Sequence, residues 1–229
     1  VDVDSNVIRK GINNLTSSML LPLDYYKSYK HNREFGKDIE DVMIKSYEHL
    51  PKLPGNTLFI VDVSGSMDSL ISSKSEFTRE ECACVMAMLA CNQCERYQLV
   101  VTAGNDSSRI GKHEHIKYPS KGFEVINQIK NHSVGCGGIF TRQCLEWCKE
   151  NFNGEEFDRI IIFSDSQDCD YPNKRVPHPF GKHNYICDVS AHTRGINYKG
   201  VWDAEISGFS DKFITFIAAH EGIINTFDE

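Results

Sequence analysis

Leu58-Phe-Ile-Val-Asp-Val-Ser-Gly-Ser-Met67 decides how this chain is read. Four apolar residues, Leu58 to Val61, run straight into Asp62-Val63-Ser64-Gly65-Ser66. A short continuous apolar run bounded by a turn signal predicts a buried strand, here Leu58–Val63. That strand ends by presenting one carboxylate and two hydroxyls, spaced two apart, on a turn softened by Gly65. Three small oxygen donors at a strand's C-terminal end suit a hard divalent cation such as Mg2+. Read in isolation, the motif is equally a turn whose hydroxyls bond their own backbone.

Two later segments bear on that choice. Gly135-Cys-Gly-Gly-Ile-Phe-Thr141 is a glycine-rich loop that opens a helix over Thr141–Asn151. Arg159–Phe163 is a second apolar strand, and it stops at Ser164-Asp165-Ser166. Two strand C-termini and one helix N-terminus can face one crevice. Together they offer two carboxylates and several hydroxyls, which favours the metal over the self-bonded turn. With so few protein charges around it, the ion stays Lewis-acidic. It can complete its shell with a carboxylate or phosphate from a partner.

From Thr57 onward strands and helices alternate. Helices are predicted at Glu76–Cys94, Gly122–Lys130 and Ser210–His220, the last capped by Ser210. Strands are predicted at Tyr97–Ala103, Glu114–Tyr118 (an edge strand), Asn184–Val189 and Tyr198–Trp202. Near-continuous apolar strands between helices imply an α/β fold with a mostly parallel sheet covered on both faces. Ligands then sit beyond the strand C-terminal ends. Residues 166–183, with three prolines, interrupt the pattern as a long loop beside the site. Residues 1–54 lack strand-like alternation. They read as a short all-helical segment with little core of its own, best seen in Ile39, Val42, Met43, Tyr47 and Leu50, and ended by Pro51 and Pro54-Gly55. The domain organisation expected is therefore 1–54 helical and 55–229 α/β.

Composition narrows the classes. The 229 residues allow one sizeable core plus an appendage. The formal net charge of −7 opposes binding nucleic acid chiefly through phosphate neutralisation. No apolar stretch reaches the roughly 18 residues of a membrane span. Val1-Asp-Val-Asp-Ser is too polar for a signal peptide. The first residue is not Met, so the chain is expected to be processed, trimmed or excerpted from something longer. Nine cysteines, an odd number, argue against a disulfide framework and for a reducing, cytoplasmic setting.

The constellation as a whole, Asp62-x-Ser64-x-Ser66 with a threonine in a glycine-rich loop and a strand-terminal Asp165, resembles the metal-ion-dependent adhesion site of von Willebrand factor A domains, which have a Rossmann-like fold. The resemblance implies that Asp62, Ser64, Ser66, Thr141 and Asp165 hold Mg2+ or another divalent cation. Thr141 departs from the pattern, because Ile139-Phe140 separate it from the glycines. Its other reading is as N-cap of its helix. The flanks are similar to TROVE-domain proteins, the Ro autoantigen family: His49-Leu-Pro-Lys-Leu-Pro-Gly-Asn-Thr-Leu58 before the first strand, Leu20-Leu-Pro-Leu-Asp24, and Gly200-Val-Trp-Asp-Ala-Glu-Ile-Ser-Gly-Phe-Ser-Asp211. In that family a helical-repeat ring leads through a Leu-Pro-Gly linker into a von Willebrand A domain, and residues 1–54 match the end of such a ring. The resemblance implies a noncatalytic, Mg2+-dependent binding domain of a Ro-like RNA-binding protein, with small noncoding or misfolded RNA as partner of the complete protein. A protein partner that supplies an acidic ligand to the metal is also implied.

An alternative is a protein–protein or virion-assembly module that kept the fold without RNA. A metal-assisted phosphoesterase lacks a visible general base. Other candidates have bland readings. Cys91-x-x-Cys94 lacks two further zinc ligands. His113 and His115 share a strand face. His178, His183 and His192 flank the long loop. Tyr25, Tyr26 and Tyr29 with Lys27 and Lys30 suit either base stacking or helix packing. Trp147 is expected in the core, and Cys136 sits beside the site.

Overall fold

The Leu58 run becomes the centre of a six-stranded sheet. The computed structural model describes residues 4–15, 20–170, 178–190 and 200–225. Its strands are β1 (Leu53–Asp62), β2 (Cys94–Asn105), β3 (Ile110–His115), β4 (Arg159–Ser164), β5 (His183–Asp188) and β6 (Ala204–Ser207), in the order β3-β2-β1-β4-β5-β6. Every pairing is parallel except β2 with β3. This is the predicted α/β architecture. β4 is buried along its whole length, as its apolar run requires.

Side chains alternate across the sheet, so each strand feeds two cores. Leu58, Ile60, Ile160, Ile162, Val100 and Ile186 share one core cluster with Cys144, Leu145 and Cys148 of helix α6 (Thr141–Asn151). Phe59 and Phe163, with opposite parity, stack at 6.2 Å. Helix α4 (Arg79–Gln93) packs on β1, β2 and β4 and is buried from Glu81 to Cys91. Its start is a reciprocal cap. Thr78 Oγ1 accepts from the Glu81 N–H at 3.1 Å, and Glu81 Oε2 accepts from the Thr78 N–H at 3.3 Å. Thr78→Ala is expected to lower the free energy of unfolding by about 1 kcal/mol. An unchanged urea midpoint would show that α4 does not depend on this cap.

The chain forms two compact units, Lys52–Phe209 and Val1–Pro51 with Ser210–Glu229. The second contains α1 (Ser5–Asn13), α2 (Pro22–His31), α3 (Gly36–Ser46) and α7 (Lys212–His220). Helix α7 therefore groups with the N-terminal helices rather than with the sheet, unlike the expected boundary at 54/55. It brings Phe213, Ile214, Ile217 and Ala218 to a unit whose own buried apolar set includes Leu23, Tyr25, Tyr26, Ile39, Val42 and Met43. Tyr25 packs edge-on against Tyr47 at 6.0 Å, and its hydroxyl lies 2.8 Å from Ser46 Oγ. Helix packing thus accounts for Tyr25 and Tyr26.

Several boundaries differ from the sequence reading. Pro54-Gly55 lies inside β1 rather than ending a helix. An irregularity between Leu53 and Asn56 absorbs it, with Gly55 at φ +80°. The edge strand is β3 at 110–115, four residues earlier than expected. The last strand is Ala204–Ser207, whereas Gly200 to Asp203 form turns and bends, and the rest of the Tyr198–Trp202 assignment lies outside the described residues. The cap position of α7 is Asp211, although Ser210 Oγ accepts from the Lys212 N–H at 3.3 Å. No helix among the described residues is long and apolar enough to cross a membrane.

Candidate metal centre

From β1 the chain winds outward one way through β2 and β3. From β4 it winds the other way through β5 and β6. The sheet therefore reverses direction between β1 and β4, where α/β proteins bind ligands beyond the strand ends. Asp62 ends β1 and Ser164 ends β4 at this point. Ser164 Oγ donates to Asp62 Oδ2 at 2.6 Å, and the Ser64 N–H donates to Asp62 Oδ1 at 2.9 Å. Asp62 is fully buried and has no cationic partner among the described residues. Burial pushes its carboxyl up to about 7, with a smaller push from nearby Asp165, against the lowering effect of its bonds from Ser164 and Ser64. Ser64 Oγ and Ser66 Oγ lie 3.3 Å apart on the next turn.

The glycine loop locks against this turn by close backbone approach. The Gly65 N–H donates to Gly137 O at 3.2 Å, and the Gly137 N–H donates to Gly104 O at 3.1 Å. A Cβ on Gly65 would sit 2.6 Å from Cys136 O. Glycine is thus required for proximity at a position with no need of left-handed backbone. Thr141 is buried and is the first residue of α6. The cap position is Phe140, which has no side-chain oxygen to give. Thr141 is therefore not the N-cap, and its hydroxyl makes no hydrogen bond to Asp62, Ser64 or Ser66.

The α6 N-terminus is capped from elsewhere. Asp168 Oδ1 accepts from the Thr141 N–H at 3.2 Å, and Asp170 Oδ2 accepts from the Gln143 N–H at 3.2 Å. The Cys169 N–H donates to Ile139 O at 2.8 Å, zipping this loop to the glycine loop. Sequence reasoning missed Asp168 and Asp170 in this role. A helix opening after Phe140 leaves its first N–H groups without a local acceptor, and that was the available signal.

Asp165 is buried and already paired. Arg79 Nη1 donates to its Oδ2 at 2.6 Å, and the Gln167 N–H donates to its Oδ1 at 3.3 Å. Ser166 follows with φ +61°, and its buried Oγ has no hydrogen-bond partner. An open cleft of about 590 Å3 lies over the site, lined among others by Ser66, Asp106, Cys136, Ser166 and Asp168.

The donor set can be tested against a divalent cation. A buried carboxylate without counter-charge and an orphaned buried hydroxyl are both costly in an apolar interior. A hard cation at this point would relieve the first and offers a partner to the second. No group of three His, Cys, Asp or Glu side chains suited to a metal occurs among the described residues, so the donors present are carboxylate and hydroxyl oxygen. That set fits Mg2+ rather than a thiophilic ion.

The remaining candidates fall to packing. Cys91 ends in α4 while Cys94 opens β2, with its Sγ 3.4 Å from Thr57 Oγ1. His113 and His115 share a face as expected, but both are engaged. His113 Nδ1 lies 2.8 Å from Thr102 Oγ1 and its ring 5.6 Å from Trp147. His115 Nε2 lies 2.9 Å from Gln98 Oε1 and its ring 4.8 Å from Phe152. Trp147 is only partly buried against the core. His183 opens β5, His178 is exposed, and His192 lies outside the described residues. Tyr29 carries Arg33 at 4.1 Å over its ring.

Fold and topology define a class: the Lys52–Phe209 unit is an α/β domain whose six-stranded, mostly parallel sheet flanked by helices is consistent with a von Willebrand factor A-like, Rossmann-type fold. Among solved structures, the fold is similar to that of the Ro (RSR) protein of Deinococcus radiodurans, with a TM-score of 0.63 and 16% identity over 98% of this chain and 50% of that one. The chain thus spans half the length of that protein. At this identity the likeness is one of fold, and at that level it bears out the Ro-type resemblance read from the flanking motifs. An aerotolerance-related membrane protein from Bacteroides fragilis matches more loosely, with a TM-score of 0.38 and 13% identity over 58% of this chain and 66% of that one. Neither a protein-family model nor a curated protein matches the sequence.

Proposed function

We propose that this chain contributes a noncatalytic, divalent-cation-dependent binding domain to a Ro-like RNA-binding protein. The observation that carries the reading is the buried, uncompensated Asp62 carboxylate at the sheet's switch point, followed by the paired hydroxyls of Ser64 and Ser66. These three residues would hold Mg2+, and Thr141 and Asp165 are the further ligands that the adhesion-site resemblance supplies. A bound ion supplies a Lewis-acidic position for one anionic group of a partner. The chain's residues hold the oxygen donors in place, and the cleft admits that group. Among the described residues the side-chain partners of the Ser64 and Ser66 hydroxyls are Asp62 and each other, and with Asp62 given to the ion neither serine is left a general base to make it a nucleophile.

RNA, small and noncoding or misfolded, is the partner proposed for the complete protein. A net charge of −7 leaves the phosphate grip to parts beyond these residues. Nine free cysteines, most of them buried, suit the reducing cytoplasm. The same acidity favours a second reading, an assembly module whose protein partner brings the acidic ligand.

The test is calorimetric titration of the full chain with Mg2+ and Mn2+, paired with thermal unfolding. Binding that raises the melting temperature, is reversed by EDTA and is lost in Asp62→Ala is expected. Saturation at a hundred times Kd should add about 2.7 kcal/mol. No binding at millimolar ion sinks the metal reading. Mg2+-dependent capture of a structured RNA by the complete protein separates the RNA reading from the assembly reading.

A further inference from the structure

We infer that Arg79 is an internal rival of the divalent ion for Asp165, and that its release accompanies occupation of the site. The inference rests on the metal reading above and deepens it. Asp165 lies close enough to Asp62 for its charge to disfavour ionised Asp62. Its side chain has no solvent exposure, and its Oδ2 is held at 2.6 Å by Arg79 Nη1, whose own side chain is 12% exposed. A buried carboxylate held this way is not free to serve an ion without giving up a charge-assisted hydrogen bond.

The placement of Arg79 is costly on its own terms. It is the first residue of α4, where a cation opposes the helix dipole, and its neighbours Glu80 and Glu81 have the sign that position favours. Its Nε is buried with no hydrogen-bond partner, so the guanidinium is only partly satisfied by Asp165. The backbone beneath it is fixed, since the Arg79 N–H donates to Ser69 O at 2.9 Å and Thr78 caps the helix. Movement on ion binding is therefore confined to the side chain. The side chain, 12% exposed, can leave Asp165 while α4 stays seated.

With no ion, Arg79 neutralises one of the two carboxylates and spares the fold a second uncompensated buried charge. When an ion arrives, Asp165 exchanges a monovalent partner for a divalent one, and the displaced guanidinium, already partly exposed, turns its N–H donors to water. Arg79 therefore sets the affinity threshold of the site and acts as a positioning residue for Asp165.

The test is Mn2+ affinity of the full chain, read from the electron paramagnetic resonance of free Mn2+. Arg79→Gln is expected to tighten Mn2+ binding roughly tenfold or more, since it removes a nearby positive charge and frees Asp165. Arg79→Lys, which keeps the charge, should stay within about twofold of wild type. In an Asp165→Asn background the gain from Arg79→Gln should shrink. Should Arg79→Gln fail to fold, Arg79→Met keeps the stem's packing. The wild type alone also answers the question: the Arg79 Nε–Hε NMR signal should shift in step with Mg2+ occupancy.

Wild type that binds Mn2+ while Arg79→Gln binds it no more tightly overturns the rivalry and leaves the metal reading intact. An Arg79 signal unchanged at Mg2+ saturation does the same. Failure of every variant, wild type included, to bind either ion overturns the metal reading and this inference with it.

Discussion

Asp62→Asn is expected to abolish divalent-cation binding and, at the same time, to stabilise the metal-free protein above pH 7. The carboxyl of Asp62 is carried by burial from 3.8 to about 7. A group raised in the folded state contributes stability that is fully present below pH 4 and is lost as pH climbs to 7, because the folded chain holds a proton that the unfolded chain has released. The span amounts to roughly 4 kcal/mol. Asparagine keeps the geometry: its oxygen can accept from the Ser64 N–H, and its amide can donate to Ser164 Oγ, a hydroxyl able to serve either way. The metal-free variant should therefore exceed wild type by roughly 2–4 kcal/mol at pH 8 and match it near pH 4. Mg2+ should reverse that order, because it stabilises only the carboxylate. Ion affinity of wild type should fall about tenfold for each pH step below 7, as protons compete. Urea unfolding at pH 5 and pH 8, with EDTA or Mg2+, checks each part. A metal-free variant less stable than wild type at pH 8 would mean that the buried charge is compensated after all.

Local pattern carried much of this protein in its sequence. The apolar runs at Leu58 and Ile160 announce buried parallel strands, and Asp62-x-Ser64-x-Ser66 is contiguous, so both were legible. What was not legible depends on distant pairing. Pro54-Gly55 reads as a helix stop, yet it sits in β1 because the Asp158 carboxylate accepts from the Asn56 N–H at 2.8 Å across 102 residues. β3 was displaced because Ile110–His115 is half-exposed and polar, so its alternation is faint. Helix α7 groups with the N-terminal helices, which its sequence does not announce, because its apolar residues say that it is buried and do not say by what. Asp62, Ser64 and Ser66 are brought together as read, whereas Asp165 is committed to Arg79, 86 residues earlier, and no one-dimensional pattern links those two. The caps Asp168 and Asp170 lie 27 residues beyond the groups they satisfy. Helix-capping rules look next door, and here the acceptor arrives on another loop.

The second large effect is expected at Gly137. A Cβ there would lie 2.3 Å from Gly104 O, 2.9 Å from Gly104 C and 3.1 Å from the Asn105 Cα. All three atoms are backbone at the end of β2, so no rotamer change relieves the clash. The loop must move, and its movement breaks the bonds Gly137 makes on both sides, to Gly104 O and from the Gly65 N–H. Gly137→Ala should therefore cost about 3 kcal/mol, the sum of overpacking and weakened buried hydrogen bonds. It should also weaken Mg2+ binding, because Ser66 follows directly on Gly65. Gly135→Ala is the matched control. Gly135 has φ +84° but no heavy atom within 4 Å of an added Cβ, so it should lose only the left-handed strain of about 1–2 kcal/mol and keep its ion affinity. Chemical denaturation and Mg2+ titration of the pair separate backbone proximity from backbone conformation. Equal losses in the two variants, with ion binding intact in both, would mean that the three loops are not held together at Gly137.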